Sequence, residues 1–142
     1  MARKKRIEER YRIALKSCAA LNKALETFSL EEKDLDPTHT TMYYDSIIKR
    51  FELVYETFWK YLKEYLYEKH GIEAISPRTV FQECLLRKIS STEETKILTS
   101  MVESRNLTTH LYNESMAQTI AGRIPIYFGL VEKILKRTSP NF

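Results

Sequence analysis

The run YYDSIIKRFELVYETFWKYLKEYLYEKHG, residues 43–71, constrains the fold more than any other part of the chain. Along it Ile47, Ile48, Phe51, Val54, Tyr55, Phe58, Leu62, Tyr65 and Leu66 recur at helical spacing. That spacing gathers them on one stripe of a helix, whereas a half-buried strand needs strict alternation. Gly71 supplies the stop, because glycine closes a helix in the left-handed conformation without a Cβ penalty. His70 sits favourably at the negative end of the dipole, which makes it a capping residue before a ligand, and Glu56 with Lys60 forms an i,i+4 pair. A helix of this kind draws its stability from neighbours that cover the stripe.

Other segments supply those neighbours. Ile7, Tyr11, Ala14, Leu15, Cys18, Leu21, Leu25 and Phe28 predict a first helix from about Ile7 to Phe28. SLEEKDLDPTHTT then breaks the pattern, with Pro37 marking a linker. Ser76 and Pro77 open a shorter third helix as cap and first-turn residue. Ser91 with Glu94 reads as a capping box for a fourth, which carries Ile97, Leu98, Met101 and Val102. Asn113 caps a fifth from Glu114 to about Arg137, lined by Met116, Ile120, Ile124, Tyr127, Val131, Ile134 and Leu135. Pro125 is expected to kink it by removing a donor. With no alternating pattern and no internal repeat, the prediction is an all-α, antiparallel up-and-down bundle of about five helices. The 142 residues fit a single domain, 1–142. A chain of this size buries roughly 68–70% of its unfolded surface, so it needs neither disulfide nor metal to fold.

The net charge of +4 points at first to an anionic partner. Its location changes that reading. Arg3, Lys4, Lys5 and Arg6 form one run, and 23 basic residues less those four leaves 19 against 19 acidic ones. Cations at a helix start oppose the macrodipole, so residues 1–6 are expected to form a frayed, solvated arm on a neutral body. Cys18 and Cys84 lack any CxxC spacing and fit reduced thiols in a cytoplasmic protein. Neither a signal-peptide core nor an 18-residue apolar run is present, so no membrane association is expected. Gly-rich phosphate loops, the G-x-S-x-G elbow and zinc spacing are all missing. Asp34 and Asp36 read as a solvated acidic turn, not a magnesium site, so no metal and no cofactor is predicted.

The chemistry concentrates in SRNLTTHLYNE, Ser104–Glu114. Arg105 continues the apolar stripe of residues 97, 98, 101 and 102, so a guanidinium is aimed at the interior or at a contact surface. Such a charge needs a carboxylate or a phosphate. His110 lies five residues on, about 140° round a continuous helix. The two converge only if the helix ends near Asn106 or if the convergence is between chains. The bland reading of the cluster is capping and turn chemistry, and the sharper one is a phosphate-handling site.

RNLTTHLY resembles the R-[polar]-x3-H-x-Y motif of the HEPN superfamily in its HepT branch, also described as nucleotidyltransferase substrate-binding proteins. RFELVYETFWKYLKEYL is similar to that family's long second helix, and GIEAISPRTVFQECLLRKIS to its following Ser-Pro-Arg segment. The order of segments matches from about residue 10 to 137, while the basic arm and the Pro37 linker match nothing. The resemblance implies a HEPN-like bundle that forms a homodimer and brings two Arg–His motifs into one cleft. It implies a toxin of a toxin–antitoxin pair, an endoribonuclease acting on RNA, with Arg105 on the scissile phosphate and His110 as the acid–base group. Asn106 would be the supporting polar residue. Tyr112 would be the hydroxyl AMPylated by a minimal nucleotidyltransferase (MNT-type) antitoxin, inactivating the toxin by charge and bulk. The family's other description implies a non-catalytic subunit presenting substrate to a separate nucleotidyltransferase. From the residues alone a structural role also stays open, with Arg105 paired to a glutamate such as Glu52 or Glu56 and His110 as a cap.

Overall fold

The structure, a computed structural model, describes residues 2–31, 36–110 and 113–140. Five helices follow one another: α1 (Ala2–Glu31), α2 (Pro37–His70), α3 (Pro77–Leu86), α4 (Thr92–His110) and α5 (Glu114–Arg137). No strand occurs among the described residues, so the architecture is the all-α bundle that the periodicity predicts. None of the helices is long and apolar enough to cross a membrane.

α2 is the axis of the bundle and packs against each of the other four helices. Its Phe51, Phe58, Tyr61, Leu62 and Leu66 are wholly enclosed, together with Leu21, Phe81, Leu98, Ile120 and Ile124 from its neighbours. Each such side chain contributes ~1.5–3 kcal/mol by leaving water. Aromatic contacts join the layers: Phe58 meets Phe81 at 6.0 Å and Phe51 stacks on Tyr127 at 5.5 Å between ring centres. The Tyr61 hydroxyl donates to the Thr138 carbonyl and ties the middle of α2 to the end of α5.

Local chemistry sets the helix ends. Ser76 accepts from the Thr79 amide at 3.2 Å, and Asn113 from the Met116 amide at 2.9 Å. In the capping box the Glu94 amide donates to Ser91 Oγ at 3.1 Å and the Ser91 amide to Glu94 at 2.9 Å. Gly71, with φ of 66°, closes α2 as expected.

Three features differ from the sequence reading. Pro37 starts α2 and does not mark a linker. Asp36 is the N-cap, its carboxylate accepting from the His39 amide at 2.9 Å, and proline suits the first helical turn, whose amides have no intrahelical acceptor. Asp34 lies outside the described residues. α1 begins at Ala2, five residues ahead of the expected start, so the basic run forms its first turns. There Arg6 and Arg10 approach Glu64 of α2 at 3.8 and 3.6 Å, and that carboxylate is nearly buried. Leu15, assigned to the buried stripe, is 44% exposed, because Ala14 and Cys18 already occupy the narrow strip of α1 that meets the core. Pro125 lies inside α5, where the sequence places it.

Candidate functional site

The capping box and the acidic first turn fix the start of α4, and buried Leu98, Met101 and Val102 press it onto the core. One turn later the polar residues begin. Ser104 is fully enclosed and its hydroxyl lies 2.8 Å from the Tyr127 hydroxyl, which is also 2.7 Å from Ser100. Arg123 of α5 reaches Ser104 Oγ from outside at 3.5 Å. A satisfied hydroxyl cluster thus seals the α4–α5 seam directly behind the motif.

Arg105 turns instead toward α2. Its Nη1 lies 3.0 Å from Glu52 Oε2 and also donates to Thr108 at 3.3 Å and to Thr109. Side-chain exposure is 25% for the arginine and 28% for the glutamate, so the pair is half-buried and still reaches solvent. Arg105 Nε is buried without a hydrogen-bond partner, and Nη2 bonds to no described residue. Of the two glutamates open to Arg105 in the sequence reading, the contact falls on Glu52, one turn before Glu56. Tyr55, on the same stretch of α2, has its hydroxyl pushed up to about 12 by burial and by Glu56. Arg105 and exposed Arg78 of α3 pull it the other way, so two cations act on this corner of the bundle.

α4 continues without a break to His110, its last residue. Arg105 and His110 therefore stand about 140° apart on one helix and do not converge within the chain. The option of a helix ending near Asn106 is closed. Asn106 and His110, both exposed, share a face one turn apart. The Arg105 guanidinium is drawn forward to the level of Thr108 and Thr109, so along the axis it ends close to the height of His110. Tyr112 lies outside the described residues. Among the described residues no group of three or more His, Cys, Asp or Glu could hold a metal ion.

Thr108 and Thr109 carried no signal in the motif as read, although hydroxyls three and four places after an arginine share its face. Ser104, Tyr127 and Arg123 come together only through the α4–α5 pairing, which no local pattern announces.

The fold is shared with solved structures. A Thermus thermophilus protein is 36% identical, with a TM-score of 0.77 over 89% of this chain and 99% of its own. A tri-AMPylated Shewanella oneidensis HEPN toxin, solved in complex with an MNT antitoxin, matches with a TM-score of 0.70 at 14% identity, over 92% of this chain and 94% of its own. The bundle thus has the helical fold of a HEPN protein. No curated protein matches the sequence. Residues 9–139 match the family described as nucleotidyltransferase substrate binding protein like, and the chain belongs to that family.

Proposed function

We propose that the chain is a HepT-like toxin, a metal-independent endoribonuclease whose site is completed between two copies. The observation that carries this reading is the placement on α4: Arg105 is held half-buried while His110 is exposed on another face of the same unbroken helix. A second copy would bring the missing imidazole and guanidinium. One histidine would take the 2′-OH proton as that oxygen bonds to phosphorus. The other would give a proton to the 5′-oxygen as its bond to phosphorus breaks, leaving a 2′,3′-cyclic phosphate. Arg105 would neutralise the crowded phosphate and Asn106 would support the histidine beside it. The Shewanella oneidensis HEPN toxin solved with its MNT antitoxin, and the family's description, support a nucleotidyltransferase partner, which would AMPylate Tyr112 in the cytoplasm.

The decisive experiment is digestion of RNA in excess EDTA by the wild type, Arg105→Ala and His110→Ala. Loss of cleavage in both variants, with cyclic-phosphate ends from the wild type, supports the reading. Equal cleavage by all three rejects it.

The family's description favours a second reading, a non-catalytic subunit that presents substrate to a separate nucleotidyltransferase. It predicts a tight complex and no RNA cleavage by the free protein.

A further inference from the structure

Arg105 has its three kinds of nitrogen in three different situations. Nη1 is held by Glu52 Oε2 and by the hydroxyls of Thr108 and Thr109. Nε is buried. Nη2 is bonded to no described residue. The two threonines belong to the same helix and follow wherever α4 goes, whereas Glu52 comes from α2, the best-packed element of the bundle. Among the described residues it alone references the guanidinium to the core. A long, flexible side chain would otherwise sample several rotamers at its helix surface, and a phosphate ligand would have to order it.

We propose that Glu52 is a positioning residue, holding Nη1 so that the Nη2 end of Arg105 stays at the axial level of His110 as a ready donor to the RNA phosphate. The carboxylate's 3.0 Å approach is to Nη1, and the guanidinium keeps its charge and an Nη2 with no hydrogen bond to a described residue. This rests on the nuclease reading above, so its test needs one readout of cleavage and another that is independent of it.

Wild type, Glu52→Gln and Glu52→Ala are compared, each first shown to melt as a folded protein. Glutamine keeps an oxygen that can accept from Nη1, and alanine removes it. The cleavage readout is the single-turnover rate on a labelled RNA oligonucleotide, with affinity measured on its fully 2′-O-methylated analogue. Glu52→Ala is expected to cleave at least tenfold more slowly with affinity within threefold, and Glu52→Gln to retain at least a third of the rate. The second readout is the 15Nε–H resonance of Arg105, assigned by its loss in Arg105→Lys. It should be distinct in wild type and Glu52→Gln, and collapse onto the resonances of mobile arginines in Glu52→Ala. Cleavage by Glu52→Ala that is unchanged, or faster because the carboxylate competes with phosphate, overturns the proposal. So does a resonance that does not move. A Glu52-dependent resonance in a protein that cleaves no RNA leaves the positioning of Arg105 standing and removes the nuclease reading.

Discussion

Arg137 grips the Glu94 carboxylate with both terminal nitrogens, each 2.7 Å from its own oxygen, and so ties the last turn of α5 to the first turn of α4. The same carboxylate closes the capping box with Ser91. Arg137 and Ser91 together hold the Glu94 carboxyl down at about 2, against an ordinary 4.5. A carboxyl depressed on folding stabilises the native state above its ordinary value and loses that contribution as the pH falls through the depressed one. Glu94→Gln keeps the cap oxygen and removes the charge. Because Arg137 is 43% exposed, solvent screens the pair, and the expected loss at neutral pH is ~0.5–1 kcal/mol. Thermal melts of variant and wild type should differ at pH 7 and converge as the pH drops from 4.5 toward 2.

Tyr61→Phe isolates a single buried hydroxyl. The ring keeps its contacts with Tyr11 and Tyr65, while the Thr138 carbonyl loses its side-chain donor. Leaving that group unsatisfied costs ~1–3 kcal/mol. Calorimetry should show a Tm lower by about 3–10 °C for a chain of this size.

Burial pushes the thiols of Cys18 and Cys84 up to about 12, with Glu132 and Glu83 respectively adding to the effect. Both should resist a disulfide-exchange reagent at pH 8 and react fully once guanidinium unfolds the chain. A raised thiol leaves stability untouched below its ordinary value of 9.0 and erodes it as the pH rises from there through about 12. Denaturation midpoints measured up the alkaline limb should therefore fall over that interval.

Mixing wild type with a dead variant tests the shared site. His110→Ala is expected to lose about 10²–10³-fold or more in cleavage rate. Co-refolded with wild type, it forms a mixed dimer that keeps one of the two histidines the cleavage needs. Cleavage should fall with the square of the wild-type fraction, and a fall in simple proportion to that fraction contradicts a site built from two copies.

Tyr112→Phe removes the phenolic hydroxyl proposed as the acceptor of AMP. Intact-mass spectrometry after co-expression with a nucleotidyltransferase antitoxin should show AMP additions on the wild type and none on the variant. Additions that persist on Tyr112→Phe would assign the modification elsewhere.

Much of this molecule is written in short-range chemistry. Ser76, Ser91 with Glu94, and Asn113 were readable because a cap forms between residues three apart. The α2 stripe was readable because one face of one helix carries it. Pro37 misled because proline breaks a helix interior and yet suits its first turn, and only the Asp36 cap distinguishes the two. The site was legible as residue types and not as partners. Glu52 and Glu56 lie on one face of α2, and the depth at which α4 crosses it decides that Arg105 meets the first. Ser104 and Tyr127 are 23 positions apart, and nothing near either one announces their hydrogen bond.

The unbroken course of α4 to His110 has a consequence for dosage. If no lone polypeptide can frame a scissile bond, catalytic output scales at low abundance with the square of the amount synthesised. A small change in expression would then separate silence from damage, without any ligand to throw the switch.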